Sequence, residues 1–123
     1  MSTRSRIAVE LEDGKVLSVY CHWDGYPEGV GSDLINMFPN GSDTSDVIEY
    51  IKEGDRSTVD MSYKEKRDED SPNDIVDSAN TFFKGDIEEY GYLYTSDEEW
   101  IVKSAGNINE AESLLEVLED IED

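Results

Sequence analysis

The sequence predicts an α+β fold: an antiparallel sheet from two β-hairpins, helices packed on one face, and a C-terminal amphipathic acidic helix. Three observations carry this reading. Apolar residues alternate with polar ones in two stretches, residues 6–23 and 90–102, each broken by turn-forming residues. Between them lie apolar residues at helical spacing. Near the C-terminus, apolar residues recur every three or four positions. The 123 residues suit a single domain, 1–123.

The first hairpin pairs the strand carrying Ile7, Val9 and Leu11 with the segment from Lys15 to Trp23. A two-residue turn would split the apolar set between faces. A three-residue loop, Glu12-Asp13-Gly14 with Gly14 in the left-handed region, instead sets Leu17 opposite Val9 and Val19 opposite Ile7. Cys21 and Trp23 then continue the same face. The Gly- and Pro-rich residues 24–31 read as a loop. A short helix follows with Ser32 as its N-cap, stopped by Pro39 and Asn40-Gly41. Thr44 or Ser45 caps a second helix with a Val47, Ile48 and Ile51 stripe, closed by Gly54.

Residues 55–73 are polar, with the mixed-charge run 64–70 read as an exposed loop. Residues 74–83 form a further helix carrying Ile75, Val76, Ala79, Phe82 and Phe83 on one side. The second hairpin places Tyr90, Tyr92 and Tyr94 on one face and returns through Trp100 and Val102, with 95–99 as its turn. Asn107 and Glu110 form a capping box for the last helix. Its stripe is Ile108, Ala111, Leu114, Leu115, Leu118 and Ile121.

Charge sets this chain apart. Thirty-one Asp and Glu against ten Lys and Arg give a formal net charge of −21, whereas small soluble domains usually stay within about 2–8. Such self-repulsion opposes a compact state, so the excess points to a basic partner or a high-salt setting. Direct nucleic-acid binding is not expected, because a phosphate-binding surface needs clustered Lys and Arg. A lone Cys21 leaves no intramolecular disulfide framework. No apolar run reaches the length of a membrane span or a signal peptide, which makes the cytoplasm the expected compartment.

Two groups of residues could carry function. The first is the segment 20–31, with His22, Trp23, Asp24, Tyr26 and Glu28 as a candidate ligand loop. Catalysis there is disfavoured. Cys21 and His22 are adjacent on a strand, so their side chains point to opposite faces and cannot form a nucleophile–base pair. One His and one Cys are too few for a zinc site, and the acids do not follow calcium-loop spacing. The glycines lack the order of a phosphate cradle. No metal and no cofactor are expected.

The second group is acidic. Residues 91–123 hold ten carboxylates against Lys103 alone. Asp97, Glu98, Glu99, Glu112, Glu116, Glu119 and Asp120 are the candidate partner-binding surface. Those of the last helix repel one another at three- and four-residue spacing, and Glu119 and Asp120 crowd the negative end of its dipole. Several local choices against stability point to function or to an unusual solvent.

The stretch SVYCHWDGYPEGVG, residues 18–31, resembles a segment of small uncharacterised bacteriophage-encoded proteins, and EEYGYLY, residues 88–94, is similar in kind. The resemblance implies a phage origin and action inside the host cell, but transfers no site. Together these observations lead to the expectation of an acidic binding protein, not an enzyme. Its carboxylates would imitate the phosphates of a duplex and inhibit a basic, nucleic-acid-handling host protein. The alternatives are a small-ligand module built on residues 23–31 and a merely salt-adapted acidic protein.

Overall fold

The structure, a computed structural model, describes residues 4–21, 25–52, 56–58, 61–62, 75–84, 89–104 and 111–122. It is α+β, as expected. Among the described residues eight strands form one sheet in the order β4-β3-β2-β1-β6-β7-β8, with β5 also pairing β2.

β1 (Ser5–Glu10) and β2 (Val16–Cys21) form the first hairpin. Ile7 pairs with Val19 and Val9 with Leu17, which is the register the apolar pattern requires. The loop is the three-residue bulged form. The Leu11 amide donates to the Lys15 carbonyl at 2.7 Å and the Gly14 amide to the Leu11 carbonyl at 2.9 Å. Gly14 takes φ +85°, which a side chain would resist. β6 (Tyr90–Tyr94) and β7 (Trp100–Ser104) form the second hairpin, with Tyr94 opposite Trp100 and Tyr92 opposite Val102.

The sheet is mixed and not wholly antiparallel, because β1 and β6 run parallel, Ser5 beside Tyr90 through Val9 beside Tyr94. A long crossover separates them, and only such a connection allows parallel neighbours. The remaining strands are short. β3 (Arg56–Thr58) and β5 (Ile75–Val76) share the outer edge of β2, β4 (Met61–Ser62) pairs β3, and β8 (Glu112–Ser113) pairs β7. The mixed-charge run 64–70 lies outside the described residues.

Several expected helix bounds move. Residues 27–31 are not loop: a π-helical turn over Pro27–Gly31 runs straight into α1 (Ser32–Met37). Pro27 starts it, where its missing N–H costs nothing. Ser32 is therefore inside the helical run, not its cap. α2 (Thr44–Lys52) is capped by Asp43, one or two residues ahead of the expected Thr44 or Ser45; its Oδ1 accepts from the Ser45 amide at 3.1 Å. Ile75 and Val76 pair with Leu17 and Val16 as strand, so α3 begins only at Ala79 and ends at Lys84. Ser78 Oγ takes the Thr81 amide at its start. α4 spans Leu114–Glu122, because Glu112 and Ser113 are held in the sheet edge by Val102 and Ile101. Asn107, Ile108 and Glu110 lie outside the described residues, as do Trp23 and Gly54.

Helices cover both faces of the sheet, not one. On the main face Ile7, Val9, Leu17, Val19, Cys21, Tyr92, Tyr94, Trp100 and Val102 pack against the π turn, α1, α2 and α4. On the other, Ala8, Val16 and Leu93 are covered by Phe82 of α3. The second layer follows from strand alternation: Ala8, Leu93 and Ile101 are apolar out of phase with the main stripe and need their own cover. In α4, Leu114 is fully buried and Val117 and Leu118 pack against the core, while Leu115, expected in the stripe, is 39% exposed.

The π turn meets α4 without spare room. A Cβ on Gly31 would lie 2.9 Å from Leu114 Cδ1 and 3.2 Å from Tyr92 Cε1. Gly31→Ala must displace a leucine that is itself enclosed, so it is expected to lower stability by roughly 1–3 kcal/mol. Urea unfolding of the two proteins checks this; an unchanged midpoint would mean that α4 does not seat against the turn.

Candidate acidic site at the hairpin-turn end

The parallel pairing of β1 and β6 has a geometric consequence. Both strands finish at the same end of the sheet, so the turn after Glu10 and the turn after Tyr94 lie side by side. The second turn copies the first. The Thr95 amide donates to the Glu99 carbonyl and the Glu98 amide to the Thr95 carbonyl, each at 2.9 Å. Glu98 occupies the place of Gly14, at φ +62°.

Three buried aromatic rings fasten the connecting loops to this scaffold by their polar tips. Trp100 Nε1 donates to the Phe38 carbonyl at 2.9 Å, and its backbone N–H donates to Asn40 Oδ1 at 3.1 Å. The Tyr94 hydroxyl donates to the Ser42 carbonyl at 2.6 Å. Gly41 N–H reaches the Glu98 carbonyl at 2.7 Å. The segment between α1 and α2 is thereby stitched to the second hairpin, which brings Asp43 to the acidic end. At the opposite end the Tyr92 hydroxyl donates to the Gly25 carbonyl at 2.5 Å.

A groove of ≈630 Å³ opens where these parts meet. Leu11 and Ile48, both half-buried, line it together with Glu10, Glu12, Asp13 and Asp43. Three of the carboxylates are held by one oxygen each. Glu10 Oε1 accepts from Ser96 N–H at 2.8 Å, Asp13 Oδ1 from Lys15 N–H at 3.1 Å, and Asp43 Oδ1 from Ser45 N–H at 3.1 Å. Burial raises the Tyr94 hydroxyl pKa above its ordinary value; the nearby negative charge of Glu98 adds to this, backbone bonds from Gly41 and Ser42 oppose it, and Asp43 adds a further increment. A buried phenol thus senses carboxylates from two separate loops. Of the basic residues, Arg6 and Lys103 fall in one row across β1, β6 and β7, towards the far end of the sheet, while Lys15 closes the first turn beside Asp13.

The expected acidic residues fall into two groups. Asp97, Glu98 and Glu99 are exposed in the second turn, at the groove end. Glu112 is exposed on β8, not on the last helix, and Glu116 and Glu119 are exposed on α4, which also carries Asp120. Glu10, Glu12, Asp13 and Asp43 were not among the expected residues. Acids flanking both turns were visible, but nothing local indicates that the turns adjoin. Of the ligand loop, His22, Trp23 and Asp24 lie outside the described residues. Tyr26, 39% exposed, and Glu28, also exposed, stand at the start of the π turn. Cys21 is buried on the core face and takes no part in a disulfide.

Among the described residues no three His, Cys, Asp or Glu side chains converge as they would around a metal ion. No helix among them is long and apolar enough to cross a membrane. Comparison with protein families, curated proteins and solved structures finds no match.

Two expectations follow from this geometry. A non-glycine residue in the left-handed region costs about 1–2 kcal/mol, and glycine returns roughly 0.4–1 kcal/mol of that through its freer unfolded chain. Glu98→Gly should therefore raise stability by about 0.5–1 kcal/mol, read from the urea midpoint; a loss would mean that the Glu98 side chain contributes to the fold.

The second concerns alkaline pH. Burial foremost, with the charges of Tyr90, Glu28 and Cys21 adding to it, holds the Tyr92 hydroxyl well above the ordinary 10.0. A folded-state pKa above the unfolded one means that this contribution to stability is complete below about pH 10 and is lost as pH rises beyond it. Phenolate absorbance followed against pH should show Tyr92 ionising only as the fold is lost. Early ionisation of all seven would contradict the buried hydrogen bond.

Proposed function

We propose that this protein binds and inhibits a basic, nucleic-acid-handling host protein, presenting carboxylates where that protein expects phosphates, and that it is phage-encoded. The observation that carries the reading is the gathering of charge: Glu10, Glu12, Asp13, Asp43 and Asp97 to Glu99 come from three loops and meet at one end of a braced sheet. Other exposed acids, such as Asp33, Glu49 and Glu89, are spread over the surface as salt adaptation alone would place them; the hairpin-turn end differs. Here loops distant in sequence are tied together, and Glu98 holds a strained backbone within the cluster. Fixed carboxylates lose little entropy on meeting a basic cleft, and the charge of the whole chain speeds the encounter. The exposed acids of β8 and α4 extend the negative surface. Mechanistically this is occupancy, with no bond made or broken.

The test is competitive capture. Immobilised protein is exposed to host lysate at low salt, then challenged with duplex DNA and with rising salt. Basic nucleic-acid-binding proteins should be retained, displaced by DNA, and released as ionic strength screens the contact. Replacing Asp97, Glu98 and Glu99 by Asn, Gln and Gln should weaken binding by about tenfold, equivalent to roughly 1.4 kcal/mol. Affinity that stays level from low to high salt would sink the proposal.

A further inference from the structure

α4 is anchored at its start and opposed along its length. β8 pairs with β7 immediately before it, Ser113 beside Ile101 and Glu112 beside Val102, which fixes where the helix begins. Leu114, its first residue, is fully buried, and its Cδ1 lies 2.9 Å from where a Cβ on Gly31 would stand. Beyond that point the hold weakens. Val117 and Leu118 pack against the core only partly buried, and Leu115 is 39% exposed.

Electrostatics works against the same turns. α4 carries Glu116, Glu119, Asp120 and Glu122, and no basic residue in its last turn. Glu116 stands three residues before Glu119 and four before Asp120, and Glu119 three before Glu122; like charges at these spacings repel. Glu119, Asp120 and Glu122 also meet the negative end of the helix dipole. Among the described residues, nothing that α4 packs on offsets this. Its supports are the π turn, β7 and β8, whose charged residues are Glu28, Lys103 and Glu112. Lys103 alternates with Val102 and, like Ile101 of the second layer, belongs to the opposite face of the sheet.

We propose that α4 is an ionic-strength-dependent latch: salt screens its carboxylates and seats it, and low ionic strength releases its distal turns. Partial release bares Val117 and Leu118. Full release withdraws Leu114 from Gly31 and uncovers the edge of the Tyr92 ring, which meets the same point. Elements with few buried apolar contacts are those that open locally while the rest of a fold persists. The inference stands apart from the acidic-binder reading, since it concerns how the chain holds its own helix.

The test is backbone hydrogen exchange of the full chain at about 20 mM and about 500 mM salt, between which the Debye length falls from roughly 20 Å to about 4 Å. At low salt the amides of α4 should exchange faster than those of β1 and β6. High salt should slow them about tenfold more than it slows the strands. The strands serve as the reference because screening steadies the whole of a chain with a net charge of −21. Glu119→Lys puts a cation in the last turn, three residues after Glu116. It should slow α4 exchange at low salt by about tenfold and remove most of its salt dependence. Glu49→Lys makes the same change in charge on α2 and should leave α4 exchange, relative to the strands, as it was. Glu119 and Glu49 are both exposed, so neither variant threatens the fold. If α4 amides track those of β1 and β6 at both salt concentrations, α4 belongs to one cooperative unit with the sheet and the latch is overturned. Equal effects of the two variants on α4 would overturn it as well.

Discussion

The parallel contact between β1 and β6 organises the molecule. Each hairpin is a local unit, and an isolated hairpin is marginal in water. Joining them gives a continuous sheet whose main face carries Ile7, Val9, Leu17, Val19, Tyr92, Tyr94, Trp100 and Val102. Direction matters as much as adjacency. An antiparallel contact would send the two turns to opposite ends; the parallel one places them together, and the acidic groove exists because of it. It also buries β1 on both faces, which explains why Ala8 and Leu93 need α3 over them.

The aromatic residues then turn a sheet into a site. Burying each large ring contributes roughly 1.5–3 kcal/mol or more, but the polar tips of Trp100 and Tyr94 also decide where the 38–42 segment runs. Asp43 lies where it does because Ser42 and Gly41 are held by Tyr94 and Glu98. Core packing and surface charge are thus linked through a few backbone carbonyls. The fold tolerates carboxylates in close company because several accept backbone N–H bonds.

What could be read from the sequence was what is encoded locally. The alternation of Ile7, Val9 and Leu11 with Leu17 and Val19, together with Gly14 at the turn, defines the first hairpin and its register without reference to the rest of the chain. The same holds for the Tyr90, Tyr92 and Tyr94 strand. Asp97, Glu98 and Glu99 could be named from composition and turn position. The β1–β6 direction could not, because no residue marks it, and the grouping of Glu10, Glu12, Asp13 and Asp43 depends on it. Other misses had signals that were outweighed. Pro27 is well suited to open a helix, yet three nearby glycines suggested a loop. Asp43 is as good a cap as Thr44 or Ser45. Ile75 and Val76 are β-branched and fit the free edge of β2, although they also complete an apolar helical pattern with Phe82 and Phe83.

The long crossover between β1 and β6 also governs when the protein can exist. A chain emerging from the ribosome can close its first hairpin early, yet the edge of β1 that β6 will cover stays open until residues 90–94 are made. The core face remains uncapped longer still, because Leu114 follows later in the chain than β6. Contacts this distant in sequence make for slow folding and prolonged exposure of unpaired strand edges. During that interval the excess of negative charge takes on a second role. Mutual repulsion between nascent copies keeps exposed β1 edges apart, so the feature that burdens the finished fold protects the unfinished one.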